Sequence, residues 1–263
     1  MRGIAESRAS GHLRVTSKPA LRIGTAGWSL PRGASSFFPE HGSHLQRYAA
    51  VFDAVEINSS FYRPHRHETY ARWAAAVPPG FRFSVKLPRE ITHDLRLRAC
   101  AKPLSKFLGE VEGLGSRLGC LLIQLPPSFA FERAPVTRFL TLLRRHFDGG
   151  AVIEPRHASW FEPVAEETLR ALAIGRVGSD PALCTAAASP MTRTRVAYHR
   201  LHGSPRMYYS NYDDAFLESV AADLIVPAPG TRDRWCIFDN TAHGHATANA
   251  LRLVELTGRK RAR

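Results

Sequence analysis

Seven charged residues and one histidine interrupt short apolar, β-rich stretches of this chain, and their types are those of anion binding and general acid/base chemistry. Glu56 lies in AVEINSS, Lys86 in RFSVKLP, Glu154 and Arg156 in AVIEPR, and Asp180 closes IGRVGSD. Arg200 and His202 alternate in VAYHRLHG, and Asp239 stands in WCIFDN. Side chains on a strand alternate between two faces, so Glu56 falls with Asn58 and Ser60, Lys86 with Ser84, Glu154 with Arg156, and Tyr198 with Arg200 and His202. Gln124 near the end of GCLLIQL and Asn240 after Asp239 join the set. Buried charges are tolerated only when paired, so these residues are expected to face one another. One outcome is an ion network with a purely structural role. The other is a pocket in which Lys86, Arg156 and Arg200 hold a phosphate or carboxylate, the arginines by a two-pronged fork and the lysine as a point charge. Glu56 or Glu154 would then be the general base and His202 the acid or electrophile. A divalent metal has ligand types available in Glu56, Glu154, Asp180, His202 and Asp239, but three cations among them disfavour it, and no cofactor is identified.

The elements that must position this set are legible from periodicity. β-rich runs at Arg22–Trp28, Ala54–Tyr62, Arg82–Pro88, Gly119–Leu125, Ala151–Arg156, Ile174–Asp180, Val196–Gly203 and Trp235–Asn240 alternate with segments of helical spacing. Leu45/Tyr48/Ala49/Phe52 follows a candidate N-cap at Ser43, and Tyr70/Trp73/Ala74/Val77, Leu104/Phe107/Leu108/Val111 and Val136/Phe139/Leu140/Leu143 repeat the stripe. Thr168/Leu169/Leu172, Leu217/Val220/Ala221/Leu224 and Ala246/Ala250/Leu253/Val254 follow, whereas 181–194 has no stripe and predicts an irregular sixth crossover. Eight strands with seven or eight helices predict an α/β fold, a parallel eight-stranded (β/α)8 barrel of the TIM type. An open doubly wound sheet is the alternative, but no GxGxxG or Walker motif follows any strand. In a barrel the charged set lies at the carboxyl ends of the strands, the face that carries active sites.

The chain has 263 residues, 44% hydrophobic and 22% charged, a composition that excludes disordered, collagenous and disulfide-scaffold proteins. Its net charge of +13 invites a nucleic-acid reading, yet three of those units fall in residues 1–20 and four in 258–263. Both segments are expected to be disordered basic tails around a single barrel domain at 21–257. A nucleic-acid-binding protein without chemistry of its own stays open as the second reading. Aromatic residues near expected loops, Trp28, Phe61, Tyr62, Phe129, Trp160, Tyr208, Tyr209 and Tyr212, would stack on bases. Cys100, Cys120, Cys184 and Cys236 fit no metal spacing and read as free thiols, and no apolar run is long enough for a membrane span. A cytoplasmic protein with no membrane partner is expected.

The segments IGTAGWS, FDAVEINSSFYR, FRFSVKLPREITHDLRL, LGCLLIQLPPSF, IEPRHASWF, AYHRLHG and FDNTAHGHATANAL, in this order from about Arg22 to Leu253, resemble the family known as domain of unknown function 72, the YecE-like proteins. The resemblance implies a TIM-barrel-type fold, related in architecture to sugar isomerases and apurinic endonucleases, and brings no established activity. By position it points to Glu56, Asn58, Ser60, Tyr62, Lys86, Arg89, His93 and Gln124 in the first half. In the second half it points to Glu154, Arg156, His157, Trp160, Asp180, Arg200, His202, Asp239, Asn240, Gly244 and His245. The expectation is a pocket for a small anionic ligand containing phosphate or sugar, with hydrolytic or acid/base chemistry and phosphodiester cleavage as the leading guess.

Overall fold

The computed structural model describes residues 20–226 and 230–258, so the tails expected at 1–20 and 258–263 lie, but for Ala20 and Gly258, outside the described residues. Nine parallel strand segments form one sheet: β1 (Ala20–Ala26), β2 (Ala54–Ile57), β3 (Arg82–Lys86), β4 (Leu118–Gln124), β5 (Gly150–Glu154), β6 (Gly175–Arg176), β7 (Gly178–Asp180), β8 (Val196–Leu201) and β9 (Asp233–Phe238). Their order, β6-β5-β4-β3-β2-β1-β9-β8-β7, starts and ends on segments separated only by Val177. β6 and β7 are thus two halves of the sixth strand. The first pairs with β5, the second with β8, and the Val177 amide still donates to the Ile153 carbonyl. The eight-stranded TIM-type barrel is therefore present, with its sixth strand broken.

Helices α1 (His44–Ala49), α2 (Ser59–Tyr62), α3 (His67–Ala75), α4 (Ala101–Val111), α5 (Arg133–His146), α6 (Pro163–Ala171), α7 (Asp214–Ile225) and α8 (His245–Leu256) connect the strands. Ser43 caps α1 through a reciprocal pair with Gln46, which satisfies two otherwise orphaned amides. The sixth crossover carries only the short 3-10 turn Thr185–Ala187, as the missing stripe predicts. Half-buried His199, on the helix-facing side of β8, consequently borders a cavity of about 350 Å³ lined by Pro190, Met191 and Asp223. Among the described residues no helix is long and apolar enough to cross a membrane.

The second strand is shorter than its sequence suggests. It stops at Ile57, because Asn58 turns helical (φ −92°, ψ −21°) and α2 follows at once. Ser60 Oγ donates to the Lys86 carbonyl at 2.6 Å and lies 3.1 Å from that of Ile57, side-chain bonds that compete with a ladder. Asn58 and Ser60 therefore do not continue the row that begins with Glu56.

Alternation divides the core into an outer apolar layer under the helices and an inner plug. Ala54, Cys120, Leu122, Val152, Val177, Val196, Tyr198, Trp235 and Ile237 fill the barrel axis. Tyr198 and Trp235 stack at 5.8 Å and 11°, and Arg22 covers Trp235 from the amino-terminal end at 5.7 Å. The wall is tightest between β1 and β2, where the buried Tyr48 hydroxyl accepts from the Thr25 amide at 2.8 Å and donates to the Ala54 carbonyl at 3.0 Å. A Cβ on Gly24 would stand 2.0 Å from that same carbonyl oxygen and 2.9 Å from the hydroxyl. Gly24→Ala must separate the two strands, so urea denaturation is expected to show a loss of about 1–3 kcal/mol. An unchanged midpoint would show that the seam yields freely.

Candidate functional site

Arg200, near the end of β8, sits on the barrel axis with 1% of its side chain exposed. Its Nη2 donates to Glu56 Oε1 at 2.7 Å and lies 2.9 Å from Asp239 Oδ2, while Nη1 donates to Glu154 Oε2 at 3.1 Å. One guanidinium thus collects carboxylates from β2, from β5 and from just beyond β9. Tyr198, two residues earlier on the same face, donates to Glu56 Oε2 at 2.8 Å and lies 3.0 Å from Ser84 Oγ. Burial alone would lower the Arg200 pKa, but Asp239, Glu56 and Glu154 raise it well above the ordinary arginine value.

His202 follows β8 and is fully buried. Its Nδ1 lies 3.0 Å from Asp239 Oδ2, and its Nε2 lies 2.8 Å from Glu154 Oε1 and 2.7 Å from Arg156 Nη2. Arg156 Nη2 also donates to Glu154 Oε1 at 2.7 Å. Hydrogen counting makes this arrangement adaptable. A protonated Nε2 donates to Glu154 and a bare one accepts from Arg156, while Asp239 holds the ring through Nδ1 in both cases. Burial would raise the Glu154 carboxyl, yet Arg156, Arg200 and His202 together hold it well below the usual carboxylate range. Asp239 is likewise held low against burial by Arg200 and by the bond from His202.

Lys86, the last residue of β3, is 8% exposed at the same mouth but behaves differently. Its Nζ stands 4.2 Å over the Phe61 ring, and among the described residues it has no hydrogen-bond acceptor and no carboxylate within 4.0 Å. Burial first and Arg200 second push its pKa down to about 8, against the pull of Glu56, Glu154 and Asp239. His93 meets the Phe61 ring edge-on at 4.9 Å, and burial together with Lys86 lowers its pKa.

Glu56, Lys86, Glu154, Arg156, Arg200, His202 and Asp239 are thereby brought together. Half-buried Gln124 is Glu154's register partner on the adjoining strand, and the buried Oδ1 of Asn58 has no partner. Asp180 takes the Tyr212 hydroxyl at 2.7 Å instead of an ion-pair partner, so the mouth holds three carboxylates against three cations. Trp160 is buried in an aromatic cluster and donates to the Phe129 carbonyl, and the His157 ring caps the turn that carries Trp160. Asn240 ties its loop to Ser210 and to Asn249 of α8. Arg89 pairs with Asp94 on the surface, and Tyr62 is 79% exposed. His243 and His245 meet each other, and His243 meets Tyr209, rather than the network.

Sequence reasoning put Tyr198 on the face of Arg200 and His202 without giving it a role, and named Phe61 and Tyr208 only as residues that would stack on bases. Tyr208 adopts a left-handed φ of 71°, donates its amide to the His202 carbonyl and presents its ring edge-on to His202 at 5.7 Å. Its loop has no periodicity to mark it, although a bulky residue at positive φ is held there against a steric cost. Among the described residues no group of three or more His, Cys, Asp or Glu is arranged to hold a metal ion, and the three carboxylates of the mouth all face Arg200.

Replacing Arg200 by Leu would leave Glu56, Glu154 and Asp239 facing one another in a buried site, a loss of about 3–5 kcal/mol at pH 7. Because Glu154 and Asp239 titrate below their unfolded values of about 4, their pairing stabilises the native protein above pH 4 and fades as the pH falls below it. Urea midpoints between pH 7 and pH 3 should therefore drop in the wild type and converge with those of Arg200→Leu. Parallel profiles would remove the network from the stability of the fold.

A family model described as "Protein of unknown function DUF72" matches residues 22–263. The UPF0759 protein YecE of Escherichia coli strain K12 is 32% identical over 148 residues, which cover 56% of this chain and only 52%, about half, of that relative. The UPF0759 protein YunF of Bacillus subtilis strain 168 is 24% identical over 272 residues, covering 90% of this chain and 94% of its own. A solved DUF72 family protein from Thermotoga maritima superimposes with a TM-score of 0.77 at 27% identity, over 91% of this chain and 99% of that one. Another from Enterococcus faecalis, at 20% identity and a TM-score of 0.74 over 91% and 96%, shares the fold. Matched almost from its first ordered strand to its last residue, the chain belongs to the DUF72 family.

Proposed function

We propose that the barrel mouth binds a small anionic ligand containing phosphate or sugar and carries out acid/base chemistry on it, with Lys86 as the anion contact and His202 as the proton carrier. The observation that carries this reading is the unequal treatment of the three cations. Arg156 and Arg200 are taken up by Glu154, Glu56 and Asp239, whereas Lys86 is buried without a carboxylate. Glu56, Glu154 and Asp239 attract the Lys86 ammonium only from beyond 4.0 Å, so it has no counter-charge in direct contact. An incoming anion supplies that counter-charge. The His202 ring, able to gain or lose a proton at Nε2 without losing its anchor on Asp239, is suited to proton transfer.

Within this reading, acid/base conversion of a sugar phosphate has more support than phosphodiester hydrolysis, because the carboxylates are neutralised by guanidiniums instead of being free to activate water or gather a metal. The nucleic-acid alternative rests on fewer side chains, since Trp160, Phe129 and Tyr212 are buried in the core. Free cysteines fit a reducing, cytosolic setting.

Lys86→Met separates function from structure. Isothermal titration with inorganic phosphate and with ribose 5-phosphate should show at least tenfold weaker binding in the variant. Stability should move the other way. Lys86 titrates near 8 in the folded protein and near 10.4 unfolded, so its burial cost is full below pH 8 and disappears towards pH 10.4. The variant is expected to match or exceed the wild type by about 1–3 kcal/mol at pH 7, with the difference closing as the pH rises. A destabilised variant that still binds phosphate would overturn the proposal.

A further inference from the structure

Resting on the reading that the mouth holds an anionic ligand, we propose that Lys86 is a covalent nucleophile whose amine adds to an aldehyde or ketone carbonyl of that ligand and holds it as an imine. The substrate class is then an open-chain aldose or ketose phosphate.

The geometry suits Lys86 to act as an amine as well as a charge. A lysine kept for charge alone is normally paired or left in water, and either setting keeps it protonated and unreactive. Lys86 has neither. Its Nζ lies on the face of Phe61, which desolvates it and offers no lone pair to its hydrogens beyond the ring electrons. Glu56, Glu154 and Asp239 are close enough to be felt, but none lies within 4.0 Å, and the neighbouring guanidinium of Arg200 opposes a second positive charge. Desolvation together with an adjacent cation is the combination that activates lysine nucleophiles. The pKa near 8 agrees with it and leaves a usable neutral fraction at physiological pH.

The bond changes balance without an outside reagent. The neutral amine attacks the carbonyl carbon, forming a C–N bond while the carbonyl π electrons move to oxygen, which takes up a proton. The attacking nitrogen gives up one proton as the carbinolamine forms; the carbinolamine then loses its hydroxyl with a further proton as water while the nitrogen lone pair closes the C=N bond, and the iminium gives up its remaining N–H proton to leave the neutral imine. Amine and carbonyl give imine and water, with no change in oxidation state. The proton movements call for a group that donates and accepts in turn, which the two hydrogen-bonded states of His202 provide.

The sequence makes the test clean, because lysine occurs only at positions 18, 86, 102, 106 and 260. Lys102 and Lys106 are exposed on α4 and serve as internal controls. The protein would be incubated at pH 7.5 with glyceraldehyde 3-phosphate and sodium cyanoborohydride, digested, and the reduced adducts located by mass spectrometry. Modification of Lys86 at least tenfold faster than of Lys102 or Lys106, slowed by excess inorganic phosphate and half-maximal in rate near pH 8, is the expected result. Lys86→Arg, which keeps the charge, should retain phosphate binding by calorimetry and lose the fast adduct. Phosphate binding with no excess modification of Lys86 would overturn the imine and leave the anion site standing. Fast modification of Lys86 without phosphate binding or protection would instead overturn the anion site, and with it the substrate class.

Discussion

Arg200 brings a full positive charge to a point where only 1% of its side chain is exposed, and the carboxylates that make this tolerable come from three separate parts of the chain. Glu56, Glu154 and Asp239 can reach it only if β2, β5, β8 and β9 close around one axis in register. The ion network and the barrel therefore require each other. A slip of one residue in any of these strands would turn its acid towards the layer under the helices and away from Arg200. Such networks add little net stability over apolar packing, but breaking one by removing a partner is strongly destabilising.

That dependence explains what could be read in advance. Strand positions followed from apolar alternation, and a charged residue at an alternating position announced the inward face, as at Glu56, Lys86, Glu154 and Arg200. Helix α1 was legible through Ser43 and its stripe, and the irregular sixth crossover through the lack of one. What escaped depends on contacts distant in sequence. Ser60 ends β2 because its hydroxyl finds the Lys86 carbonyl 26 residues away, and the alternation of Asn58 and Ser60 with Glu56 hides that turn. Asp180 looks like a fourth acid of the mouth until Tyr212, 32 positions on, claims it. Trp160 and His157 share the composition of a binding loop while serving its packing. Tyr208 belongs to a loop with neither period nor motif.

The distinction among the cations is the finding that alternation could not supply. Lys86, Arg156 and Arg200 occupy equivalent places in the pattern, yet two are ion-paired within the protein and one is not. Guanidinium geometry explains the division. A planar fork can serve several carboxylates at once, as Arg200 does, whereas an ammonium on a flexible stem is free to rest against an aromatic face. Two arginines offset two of the three carboxylate charges by direct pairing, and Lys86 supplies the third unit of positive charge from beyond pairing distance.

The stacked Tyr198 and Trp235 rings, with Arg22 beneath them, have a kinetic consequence. With the axis stoppered at the amino-terminal end, traffic through this barrel is by a single door. A ligand of the proposed kind that enters past Phe61, Lys86 and Tyr208 would have to leave the same way. On the proposed reading, a product slow to depart would therefore compete directly with the next arrival.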